Sequence, residues 1–160
     1  VQGLIRQVRK DNVVWQSNQE VREILSNFNI IKCDQLELNC ITNSTNHNKS
    51  IDLLIQWGIE EIIVTDGSHG STIYSKSEEE FKIPSFKPNK LIDTTGCGDT
   101  FAAIYAYSRL KDYSIFEAGL FASAGASLKI EHIGPLLTSI ENIKEKIKKN
   151  YKQGNLKIIA

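Results

Sequence analysis

The chain contains no methionine, not even at position 1, and it carries no net charge. The missing methionine leads us to expect that Val1 is not a natural start and that the chain is a fragment. The charge balance, 19 lysines and arginines against 19 acids, provides no field to draw a polyanion, so neither a nucleic-acid partner nor an anionic membrane surface is expected. Any phosphate binding must therefore be local. Cysteine is scarce and odd in number: Cys33, Cys40 and Cys97 form neither a CxxC pair nor a zinc-ligand spacing, which fits a reduced, cytoplasmic setting. His47, His69 and His132 have no ligand spacing either. No apolar run approaches the ~20 residues needed to span a bilayer, and the segment from Val1 to Arg6 is no signal peptide. Internal repeats and low-complexity tracts are absent. What remains is 160 residues, 41% hydrophobic, enough for one compact domain or part of one.

Periodicity supplies the elements. Ser17 to Glu20 has capping-box spacing, and Val21, Ile24, Leu25 and Phe28 follow at helical intervals, which predicts a helix from about 18 to 27. Ile30 to Cys33 reads as a short strand. The stretch from Asn39 to Ser50 is polar, with Ile41 its main apolar residue, and is followed by a second amphipathic helix through Ile51, Leu54 and Ile55 that Gly58 can end. Glu61 to Thr65 reads as a buried strand, Asp66 to Gly70 as a turn, and 71–75 with 81–83 as short antiparallel additions. Helices are expected at 97–110, at 114–130, and from Ile140 through Ile143 and Ile147 after a Thr138 or Ser139 cap. The alternation of helices with strands argues for βα units on a largely parallel sheet.

One nonapeptide concentrates the chemistry: Asp93-Thr94-Thr95-Gly96-Cys97-Gly98-Asp99-Thr100-Phe101. Gly96 and Gly98 allow backbone angles that let successive NH groups point into one concavity. The helix beginning there adds its own unpaired NH groups and the positive end of its dipole. A glycine pair before a helix is also what any tight strand-to-helix turn needs. An acid such as Asp99 in a first turn is an ordinary dipole-stabilising choice. The combination with Asp93, Thr94 and Thr95 favours a phosphate site with a base beside it.

This string resembles the C-terminal signature of the ribokinase-like (PfkB) carbohydrate kinases, matched at Asp93, Thr94, Gly96, Gly98, Asp99 and Phe101, with Cys97 where alanine is usual. The resemblance implies that Asp99 is the general base on an acceptor hydroxyl and that the NH groups of Gly96, Cys97 and Gly98 form an anion hole for the transferring phosphoryl group. Further stretches fit the same family in order. Thr65-Asp66-Gly67-Ser68-His69-Gly70 resembles its nucleotide-holding turn, which implies roles for Thr65, Gly67 and Gly70. Asp34 to Glu37 resembles its Asn-x-x-Glu motif, with Asp34 in place of asparagine, and implies that Glu37 and Asp34 organise magnesium and its waters. Phe121 to Ser127 resembles the small-residue helix of the adenine pocket, and Ser123 is assigned there. A monovalent cation, where the family uses one, is implied at Asp93 and Thr95 and in the loop from Gly134 to Thr138.

The implied fold is α/β, a three-layer αβα ribokinase-like sheet with mostly parallel strands, present as its C-terminal half. Residues 1–160 would be the nucleotide-binding and catalytic half of one kinase domain. The implied activity is ATP-dependent phosphoryl transfer, with Mg²⁺, to a hydroxyl of a sugar or similar small alcohol. A homodimer belongs to this reading where the missing half is present. The alternative is a non-catalytic nucleotide-binding or regulatory module. The acceptor stays open.

Overall fold

A computed structural model describes residues 1–10, 12–17, 19–77 and 79–150, which fall into two compact units. The first comprises Val1–Asp66 and Thr72–Glu80, and the second comprises Gly67–Ser71 and the chain from Phe81 onward.

In the first unit, β3 (Ile30–Asp34) and β4 (Glu61–Thr65) pair in parallel, in register from Ile30 opposite Glu61 to Asp34 opposite Thr65. Both strands are short β-branched runs, and parallel pairing demands that they be covered on their faces. The crossover between them supplies that cover through α3 (Gln35–Thr42) and α4 (His47–Gln56). Ile31, Cys33, Leu38, Ile41, Ile51, Leu54, Ile62 and Val64 form one buried cluster, each large aliphatic side chain contributing about 1.5–3 kcal/mol. In α4, Ile51 and Leu54 point inward, Asn46 caps the start by accepting from the Lys49 NH at 3.1 Å, and Gly58 ends the segment with φ +99°. The four-stranded sheet runs in the order β3-β4-β5-β6, where β5 is Ser71–Ser75 and β6 is Glu80–Ile83.

The sequence reading missed four elements here. Half of helix α3 lies inside the segment read as polar, and α4 begins four residues before Ile51. The polar groups are satisfied internally: Thr42 Oγ1 donates to the Leu38 carbonyl at 2.9 Å and shares a 2.8 Å hydrogen bond with the buried Ser50 hydroxyl. Ahead of α2 (Gln19–Leu25) stand α1 (Gln2–Ile5) and an antiparallel pair, β1 (Arg6–Arg9) and β2 (Asn12–Trp15), with Val8 opposite Val13. The expected capping box at the start of α2 includes Asn18, which lies outside the described residues, and Ser17 Oγ donates to the Ile41 carbonyl at 3.0 Å.

The second unit is built on α5 (Cys97–Leu110), α6 (Ile115–Lys129) and α7 (Ile140–Asn150). Phe101, Tyr105 and Ser108 are the buried positions of α5. Helix α6 is apolar around most of its circumference and buried along nearly its whole length, the pattern of a central helix. Its start is fixed by a capping box in which Ser114 Oγ accepts from the Glu117 NH and Glu117 accepts from the Ser114 NH. Gly125 is where α6 meets both neighbours: an added Cβ would strike Ile104 Cδ1 and lie 3.6 Å from Ile143 Cδ1. Among the described residues no helix is long and apolar enough to cross a membrane.

Candidate functional site

The glycine turn folds as its composition demands. Gly96 sits at φ +77°, ψ 5°, the left-handed region, and is the N-cap of α5. It offers no side-chain acceptor, so no cap is made, and the NH groups of the first turn have no intrahelical partner. The Thr100 NH closes the first helical bond onto the Gly96 carbonyl at 2.9 Å. The Cys97 NH points to the Thr94 carbonyl at 3.2 Å and closes the preceding turn. Of the three amides assigned to an anion hole, Cys97's therefore has an internal partner. Asp99 occupies the first turn of α5 with an exposed side chain.

Asp93 fastens the turn from behind. Its Oδ1 accepts from the Thr95 NH at 2.9 Å, and Oδ2 lies 3.3 Å from Lys129 Nζ. These contacts, the Thr95 amide first, hold the Asp93 carboxyl below its ordinary range. Lys129, at the last turn of α6, also donates to the Asp93 carbonyl at 3.2 Å and to the His132 carbonyl at 3.1 Å. Beside it the Ile130 carbonyl accepts from the NH groups of Ile92 and Asp93 at 3.0 and 3.1 Å. Asp93 Oδ2 and the Asp93 carbonyl, which the sequence reading assigned with Thr95 and the 134–138 loop to a monovalent cation, both contact a lysine ammonium. A second cation at those two oxygens would be repelled by the ammonium. Sequence reasoning missed Lys129, although a visible signal existed: it is the one charged residue between Ala118 and Ile130.

The second turn lies in the same unit from Gly67 onward. Gly67 (φ +51°) opens a short 3₁₀ turn, and the Gly70 NH returns to the Gly67 carbonyl at 3.3 Å. Gly70 (φ +99°) is pressed against the 83–85 segment: an added Cβ would collide with the Ile83 carbonyl and lie 3.0 Å from the Ser85 nitrogen. Ser85 Oγ donates to the Ser68 carbonyl, and Ser123 Oγ donates to the Pro84 carbonyl at 2.7 Å. The structure thus brings Gly70 and Ser123 to one segment, which also holds the Ser68 carbonyl next to Gly67, with the Ser123 hydroxyl spent on a main-chain carbonyl. Helix α6 carries both Ser123 and Lys129, about 9 Å apart along its axis.

The remaining candidates belong to the first unit. Asp34 and Glu37 form a capping box on α3: Asp34 Oδ1 accepts from the Glu37 NH at 2.8 Å, and Glu37 Oε2 accepts from the Asp34 NH at 2.9 Å. Each carboxylate commits one oxygen to the helix. Thr65 Oγ1 donates to the Cys33 carbonyl at 3.3 Å across the β3–β4 pair. Among the described residues no group of three or more His, Cys, Asp or Glu is placed to hold a metal ion alone.

A glycine turn that starts a helix without a side-chain cap, with an exposed acid in the first helical turn, leaves backbone NH groups without an intrahelical partner, an arrangement suited to an anion. The family follows from the whole chain: residues 6–142 match the pfkB family carbohydrate kinases, and the chain belongs to that family. It is 33% identical over 118 residues to a nucleoside kinase of Methanocaldococcus jannaschii, covering 74% of this chain and 38% of that protein. It is 27% identical over 119 residues to a ribokinase of Arabidopsis thaliana, covering 71% and 31% respectively. The crystal structure of the archaeal nucleoside kinase, a ribokinase-family member, superposes with a TM-score of 0.76 at 31% identity, over 84% of this chain and 44% of that one. The Arabidopsis ribokinase complexed with ribose and ATP gives 0.73 at 25%, over 79% and 43%. The fold is the α/β ribokinase fold that the sequence implied, and the chain spans less than half the length of these relatives.

Proposed function

We propose that this chain is the nucleotide-binding and catalytic half of an ATP-dependent kinase that phosphorylates a hydroxyl of a sugar or nucleoside. The observation that carries this reading is the start of α5, where Gly96 caps the helix without a side chain and Asp99 stands exposed one turn in. Phosphoryl transfer asks little covalent chemistry of a protein. It requires the phosphates to be positioned, the equatorial charge stabilised and the attacking hydroxyl oriented.

Asp99 accepts the hydroxyl proton. The amides of Gly96 and Gly98 receive the phosphoryl oxygens, with Cys97 as a third once its 3.2 Å bond to Thr94 is shared. Thr65, Gly67 and Gly70 belong to the nucleotide, the glycines because a backbone without Cβ lets phosphates and ribose approach closely. Ser123 contributes by holding the 84 segment rather than by direct contact. Asp34 and Glu37 orient waters around magnesium through the oxygens that their cap leaves over. Bound ATP and Mg²⁺ supply the phosphoryl group and neutralise its charge. Support comes from family membership and from relatives that are a nucleoside kinase and a ribokinase.

The test is a coupled ATP-consumption assay with Mg²⁺ and a panel of sugars and nucleosides, on this chain expressed with whatever coding sequence precedes Val1. Saturable, acceptor-dependent ATP consumption is expected. ATP binding without transfer to any acceptor would instead favour a regulatory nucleotide-binding module.

A further inference from the structure

Lys129 is almost wholly buried, its side chain 3% exposed, and its ammonium meets three oxygens: Asp93 Oδ2, the Asp93 carbonyl and the His132 carbonyl. An ammonium has three donors and here each has a partner. The carboxylate alone would leave two of those donors unmet; two main-chain carbonyls, one before the glycine turn and one in the loop after α6, converge on the same atom to meet them. Converging carbonyl oxygens, with a carboxylate to balance the charge, form the environment that replaces the hydration shell of a monovalent cation.

The cluster is tied to the turn in several ways. Asp93 Oδ1 holds the Thr95 NH, and the Ile130 carbonyl holds the Ile92 and Asp93 NH groups. A Cβ on Gly96 would lie 3.9 Å from Lys129 Cε, so the lysine stem runs beneath the residue that caps α5. On the far side of the loop, Glu131 accepts from the Asn89 NH at 2.8 Å and from Lys146 Nζ at 3.1 Å, which fixes the segment that carries the His132 carbonyl.

We propose that the Lys129 ammonium is a built-in monovalent cation: it organises the Asp93–Gly96 turn from within the chain, so that the turn needs no potassium or other alkali ion. Lys129 is a positioning residue, acting on the anion through the turn above it. The structural half of this inference stands alone, and its consequence for phosphoryl transfer rests on the kinase reading.

The test is thermal melting without nucleotide, in potassium chloride against choline chloride at matched ionic strength, so that general screening is equal. The wild-type chain is expected to melt at the same temperature in both. Lys129→Ala leaves a cation-sized space lined by the same oxygens, and its midpoint should fall by roughly 10 °C in choline. Potassium or ammonium chloride should then recover part of that loss with saturation, lithium much less. Lys129→Met fills the space with an uncharged side chain and should show the loss without the recovery. A saturable, potassium-specific stabilisation of the wild type overturns the proposal, and so does an alanine variant that responds equally to every salt or folds in none. Titration with an ATP analogue in the same two salts keeps the readings apart. Equal affinity in both is expected, whereas no binding in either sinks the kinase reading and leaves the melting result intact.

Discussion

Gly67 and Gly70 bound one turn, both at positive φ, yet different constraints hold them. Around Gly67 nothing lies within 4 Å of an added Cβ, so Gly67→Ala bears only the left-handed backbone cost, about 1–2 kcal/mol. Gly70→Ala adds collision with main chain at Ile83 and Ser85, which cannot rotate away, and is expected to cost about 2–5 kcal/mol. Urea unfolding of the two variants checks the ordering. Titrating residues give a second prediction. The Cys33 thiol, fully buried in the first unit, is pushed from 9.0 to about 12, first by burial and then by Glu37. A pKa raised in the folded state means stability is intact below 9.0 and is lost as pH rises toward 12. Asp93 has the opposite sign: its carboxyl is lowered from 3.8 by the Thr95 amide and Lys129, so its contribution holds above 3.8 and is lost as pH falls below it. Melting midpoints across pH should fall at both ends. Cys33→Ala should flatten the alkaline limb and Asp93→Asn the acid limb.

At the scale of elements, α3 shows why one motif can be read two ways. Asp34-x-x-Glu37 is a capping box by spacing and a metal-organising motif by resemblance, and the structure shows the cap formed. Asp34→Ala should cost about 0.5–2 kcal/mol, while Asp34→Asn keeps an acceptor and should be near neutral in chemical denaturation. Any change in the magnesium dependence of Asp34→Asn then reports on the metal and not on the helix. The same region marks the limit of periodicity. Helices α4, α5 and α7 were legible because each has a buried face written at the helical repeat, and β4 and α6 because each is a nearly continuous apolar run of the right length. Helix α3 was hidden because Asn39, Cys40 and Thr42 dilute its apolar face, and its start signal had been read as chemistry. The β1–β2 pair was hidden because its alternation serves no core: Val8 and Val13 are 78% and 59% exposed. In the site, the glycine turn was legible from residue type. The fastening by Lys129 and the His132 carbonyl was not, since a main-chain oxygen leaves no mark in a sequence.

On the scale of the whole molecule, the chain spans less than half of the relatives it matches, and the proposed function assigns it a phosphate site but no acceptor pocket. The expected behaviour of this chain alone is nucleotide binding without acceptor phosphorylation. Calorimetry with an ATP analogue and a turnover assay on the same sample would show the split. The central claim is that the acid behind the glycine turn takes the acceptor's proton. It is tested most directly by comparing Asp99→Asn with wild type, each expressed as the full gene product, for both turnover and nucleotide affinity. The account predicts turnover reduced roughly 10²-fold or more with nucleotide affinity unchanged. Turnover equal to wild type would contradict it.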